Sequence, residues 1–109
     1  MSADRVAQAP GLMIASQIQA LARGACVNVE RGRAWASITF SGTRYGLSIE
    51  WPDGAGATAL QELARILPEQ EFVIPGYFVA DIVITDQSDW RMLIEILCIV
   101  DPLDAPGGC

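Results

Sequence analysis

Between Cys26 and Trp51 apolar and polar residues alternate with little interruption, and this period of two marks a chain that builds a half-buried β-sheet. Successive side chains of a strand point to opposite faces. One face therefore collects Val27, Val29, Tyr45, Leu47 and Ile49, and the other Cys26, Asn28, Glu30, Arg33, Trp35, Arg44, Ser48 and Glu50. Glycines at 32 and 42 divide the stretch into strands 26–30, 33–41 and 44–51, joined by two-residue turns at Arg31-Gly32 and Gly42-Thr43. The second turn pairs Phe40 with Tyr45, Ile38 with Leu47, Ala36 with Ile49 and Ala34 with Trp51. The first pairs Val29 with Ala34 and Val27 with Ala36. Both registers put the apolar residues on one common face, so the expectation is a three-stranded meander.

Helical spacing appears on either side of it. Ile14, Ile18, Leu21 and Ala22 recur at intervals of three and four over 12–23, ahead of Gly24 as a C-cap. An earlier start near Ala3 is open, with Pro10-Gly11 interrupting a polar beginning. A second helix is expected from Gly56 to Leu67 with Leu60, Leu63, Ala64 and Leu67 inward, capped by Thr58 with Gln61 and stopped by Pro68. Pro52-Asp53-Gly54 closes the meander before it. Phe72-Val73-Ile74 reads as a short strand. Tyr77–Thr85 and Arg91–Asp101 read as two long strands, apolar on both sides and therefore central in the sheet or covered by a partner. The resulting fold class is α+β, with the order α-β-β-β-α-β-β, one antiparallel or mixed sheet, and both helices on one face. The chain is a single domain of 109 residues, with 1–11 and 102–109 as flexible ends.

Charge and residue types restrict function. Net charge is −6, which removes the basic stripe that nucleic acid requires and disfavours an anionic membrane surface. No apolar run approaches the ~18 residues of a membrane span. The beginning lacks the pattern of a secretory leader, and three cysteines without CxxC spacing suit a reduced, cytoplasmic protein. All seven basic residues are arginine, as in a GC-rich bacterial gene. With no histidine and no lysine, no serine or cysteine has an activating base, so no catalytic residue and no cofactor are assigned. Gly54-Ala55-Gly56 has neither the length nor the lysine of a phosphate-binding loop.

Two features stand out against that background. A hairpin symmetric about Ser88 would set Asp81 across from Glu95, a like-charged pair that a divalent cation, an arginine or a shared proton would relieve. Trp35 falls in the middle of the polar face near Asn28 and Glu50, where a large aromatic is favoured only if something covers it. Trp90, in the last turn, is a lesser feature of the same kind. The leading expectation is a non-catalytic binding or assembly module, a small accessory or regulatory protein contacting itself as a homodimer or another protein through Trp35, Asn28, Glu50 and Trp90. The alternative is a divalent-metal-binding or carboxylate-dependent hydrolytic domain using Asp81 and Glu95.

Overall fold

A computed structural model describes residues 2–51 and 57–101. Helix α1 (Ser2–Leu21) is followed by strands β1 (Cys26–Ala36) and β2 (Ser41–Glu50), helix α2 (Ala57–Ile66), a single 3-10 turn at Leu67–Glu69, and strands β3 (Tyr77–Gln87) and β4 (Arg91–Val100). The four strands form one fully antiparallel sheet in the order β1-β2-β4-β3. Each half of the chain is thus a helix followed by a hairpin, and the halves meet along β2 and β4. The α+β class with a single sheet stands. The order is α-β-β-α-β-β rather than the expected α-β-β-β-α-β-β.

The three-stranded meander is corrected because neither expected glycine turn exists. At Arg31-Gly32 the backbone continues as β1, with a bulge between Val29 and Arg31 that absorbs one extra residue. Gly42 lies inside β2 against Ile99, where a Cβ would collide with the Cys98 carbonyl oxygen. That glycine admits a close strand neighbour and makes no turn. The hairpin instead reverses at Ser37–Phe40, where the Ser37 N–H donates to the Phe40 carbonyl at 2.8 Å. Val27 therefore pairs with Ile49 and Val29 with Leu47, not with Ala36 and Ala34. Ala34 and Ala36 face Thr43 and Ser41, and Ile38 sits fully exposed at the tip.

The apolar residues of β2 nevertheless face inward as their alternation requires. Tyr45, Leu47 and Ile49 join Met92, Ile94, Ile96 and Cys98 of β4 beneath Ile14 and Ile18 of α1 and Leu60 and Leu63 of α2. Both helices cover this one face. In β3 a bulge between Val79 and Asp81 shifts the phase of alternation, which lets Tyr77, Val79, Ile82 and Ile84 all pack against the same core. β4 is central, as its apolar character on both sides implied, and β3 is an edge.

α1 runs through Pro10 without ending there. Proline removes one helical hydrogen bond, and the adjacent Gly11 brings the helix down onto the Tyr45 ring, where a Cβ would lie 2.6 Å from Cε1. Gly24, at φ 87°, turns the chain from α1 into β1 in the left-handed region that glycine alone enters easily. The Gln19 amide donates to the Ala25 carbonyl at 2.6 Å and supports the same turn. Thr58 falls inside the first turn of α2 and not ahead of it. Phe72–Ile74 forms no strand. The Val73 backbone pairs with a side chain instead, donating to Gln17 Oε1 at 3.0 Å and accepting from its Nε2 at 2.7 Å. Pro52-Asp53-Gly54, Gly54-Ala55-Gly56 and the tail 102–109 with Cys109 lie outside the described residues.

Candidate functional site: the open face of the sheet

Both helices pack on one side of the sheet, so the side chains that point the other way meet no second layer among the described residues. Cross-strand register orders these side chains into rows. At one end Trp35, Gly42, Ile99 and Phe78 lie side by side. Phe40, just before β2, stacks edge-on to Phe78 with ring centroids 6.2 Å apart. Ile99 and Leu97 are buried here, at 5% and 7% exposure, although neither belongs to the helix-covered core. Neighbouring side chains on the open face shield them, while Phe40 and Phe78 stay more than a third exposed. Trp35 is half-buried.

Arginine and glutamate occupy the middle of the face. Arg31 stands opposite Gly46, and Gly46 stands opposite Glu95. With no side chain at 46, the Arg31 stem crosses the strand and its Nη2 donates to Glu95 Oε2 at 3.1 Å. A Cβ at 46 would press on that stem at 3.2 Å. Arg44 Nη1 reaches the other carboxylate oxygen of Glu95 at 3.8 Å. The next row holds Glu30, whose carboxylate accepts from the Ser48 hydroxyl at 2.7 Å. At the far end Arg91 Nε stands 2.9 Å from Glu50 Oε2. The face thus grades from apolar to charged along the strands.

The residues singled out from sequence do not gather in one place. Trp35 lies at the apolar end. Asn28 is exposed in the Ser48 row, and Glu50 is held by Arg91 at the opposite end. Trp90 is half-exposed beyond that end, and its carbonyl accepts from the Trp51 N–H at 2.9 Å. Phe40, Phe78, Leu97 and Ile99 complete the surface around Trp35. Phe40 was expected on the core face beside Tyr45, and the shifted hairpin turn moves it across. Asp81 does not lie across from Glu95: the hairpin reverses at Asp89-Trp90, where the Ser88 N–H donates to the Arg91 carbonyl at 2.8 Å, and not symmetrically about Ser88, so Asp81 stands opposite Leu97 and Glu95 opposite Val83. Glu95 is already engaged by two arginines. Among the described residues, no group of three or more Asp, Glu or Cys side chains could hold a metal ion.

No family model, no curated protein and no solved structure matches this chain. No helix among the described residues is long and apolar enough to cross a membrane.

Two grooves lie away from the open face. One, of about 420 Å³, runs between the end of α1, Trp51 and α2, with Arg23 and Glu62 as its charged residues. The other, of about 310 Å³, separates Leu12 and Ala15 of α1 from the outer edge of β1. Neither brings together an acid, a base and a nucleophile. The chemically distinctive group is Cys98, buried in the core, where desolvation pushes its thiol up to about 11 and holds it neutral. Burial raises the Tyr45 hydroxyl as well, against opposing hydrogen bonds from Thr43 and the Gly11 backbone.

Proposed function

We propose that this chain is a non-catalytic assembly module that works by burying the open face of its sheet against a second copy of itself. The observation that carries the proposal is the aromatic and aliphatic surface around Trp35, on a sheet face that no described element covers. Contiguous apolar patches of this kind on a small protein mark contact surfaces. A second copy suits the charge. The open face carries four arginines (Arg31, Arg33, Arg44 and Arg91) against five acids (Glu30, Glu50, Asp81, Asp86 and Glu95). The rest of the sequence holds eight acids and three arginines. Two such chains repel through most of their surface and meet without that penalty only where the charges nearly balance. A strongly basic partner would find more attraction elsewhere on the molecule.

Growth through the sheet edges is disfavoured by contrast. β1 carries a bulge and its arginines, and β3 carries two bulges and its aspartates, which are the ordinary means of blunting an edge. Face-to-face packing gives an arrangement of helix, sheet, sheet and helix layers. Sedimentation analysis over a range of micromolar concentrations tests the proposal. The expected result is a dimer that Trp35→Ala weakens by roughly tenfold or more, consistent with a central aromatic anchor. Leu12→Ser, an exposed position on the helix side, should leave the dimer intact. A wild-type monomer at every concentration would refute it.

A further inference from the structure

The assembly proposed above leaves open how two copies face one another, and two charged residues at opposite edges of the sheet decide it. Arg33, Arg44, Leu97 and Asp81 form one row across the open face, with Arg33 on edge strand β1 and Asp81 on edge strand β3. Neighbouring strands lie about 4.8 Å apart, so roughly 14 Å separates the two ends of the row. That distance is too great for Arg33 and Asp81 to pair within one chain. Neither has an ion-pair partner among the described residues, and both are exposed.

Two sheets packed face to face about a two-fold axis stand about 10 Å apart. An axis perpendicular to the strands would set the apolar row of Trp35 and Phe78 against the charged row of Glu50 and Arg91. It would also lay β1 on β1. An axis parallel to the strands keeps like rows together and reverses their order, so that β1 of each copy covers β3 of the other. Trp35 then stands over Phe78 of the second copy, and Ile99 stands over its Gly42, where the missing side chain leaves room. In the adjoining row Arg33 stands over Asp81 of the second copy. Symmetry repeats that pair at the opposite edge.

We infer that the dimer forms about an axis parallel to the strands, and that Arg33 of each copy pairs with Asp81 of the other to fix this orientation. The inference rests on the proposed self-assembly and adds to it the residues that select one arrangement. Opposite charges brought together across an interface set register and exclude other pairings more than they add affinity.

Charge reversal tests it directly. The dissociation constant of the dimer is measured by sedimentation equilibrium for wild type, Arg33→Asp, Asp81→Arg and the double variant. Circular dichroism confirms that each is folded. Each single reversal is expected to raise the constant roughly tenfold, and the double to return it to within about threefold of wild type. If the singles dimerise like wild type, or the double is as weak as the singles, this orientation is overturned while self-assembly stands. A wild-type monomer would overturn both.

Discussion

Replacing Gly11 with alanine measures how closely α1 is seated on the sheet. An alanine methyl at this position would lie 2.6 Å from Tyr45 Cε1 and 2.8 Å from Cδ1, inside any normal carbon–carbon contact. The ring has little room to yield: Tyr45 is 1% exposed, in one cluster with Ile14, Leu47 and Ile96, and its hydroxyl is engaged by Thr43 and the Gly11 backbone. Two effects oppose each other. Alanine is the better helix former by about 1 kcal/mol. Overpacking a closed core costs about 1–3 kcal/mol. With the larger cost prevailing, the variant should lose up to about 2 kcal/mol, and a domain of this size then melts up to roughly 9 °C lower. Thermal unfolding followed by circular dichroism reads the change. The Tyr45→Leu background supplies the control, because without the ring the same Gly11→Ala substitution should raise the melting temperature. A rise in the wild-type background would show that helix propensity alone governs position 11, and the account of Pro10-Gly11 as a seating device would fail.

Glu95→Gln removes the carboxylate that Arg31 and Arg44 share and leaves the two guanidinium groups facing each other. These pairs are partly solvated, so the expected loss is about 1 kcal/mol at low ionic strength and less in 1 M salt. Equal stability of variant and wild type in urea titrations at low salt would count against the pairs. Cys98 predicts a dependence on alkaline pH. Its folded value is raised from 9.0 to about 11, so the folded state holds the proton more tightly than the unfolded chain. The resulting stability is fully present below pH 9 and drains away as the pH rises towards 11, by on the order of 2 kcal/mol. Cys98→Val should flatten that part of the curve in denaturant melts taken at intervals from pH 8 to 11. An unchanged slope would place the alkaline sensitivity elsewhere.

The parts of this fold legible in the sequence are those governed by local period. The alternation of Tyr45, Leu47 and Ile49 identified their inward face, and the spacing of Ile14 and Ile18 and of Leu60 and Leu63 identified both helices. The parts that were not legible depend on distant partners. Gly32 and Gly42 look like turn residues when read alone. In the fold one follows a bulge, and the other makes room for Ile99 from the far half of the chain. Ser37-Ile38-Thr39-Phe40 is rich in β-branched residues and reads as strand, yet it reverses the hairpin, with the Phe40 N–H donating to the Ser37 hydroxyl and the Ser37 N–H to the Phe40 carbonyl. The separation of Asp81 from Glu95 turns on where the last hairpin reverses, since the loop read as symmetric about Ser88 closes around Asp89-Trp90 instead. The bulge after Val79 was hidden as well, because Phe78–Ile84 carries apolar residues on both faces and its pattern shows no break where the phase shifts. Of the candidate surface, Trp35 was visible because a tryptophan among polar neighbours breaks the alternation. Leu97 and Ile99 were invisible because β4 is apolar on both faces from Ile96 to Val100.

The order β1-β2-β4-β3 also bears on how the chain reaches its native state. Each hairpin joins strands adjacent in sequence, across turns of a few residues, and hairpins of this kind form within microseconds. The seam between β2 and β4 is different, since it must bring Gly42 to Ile99 and Glu50 to Arg91 across the whole second helix. Closing so long a loop carries an entropic cost that no local contact offsets, which makes the seam the slow and cooperative step of folding. Substitutions along it, at Gly42 or Ile94, should therefore slow folding, whereas changes confined to either outer strand should mainly hasten unfolding.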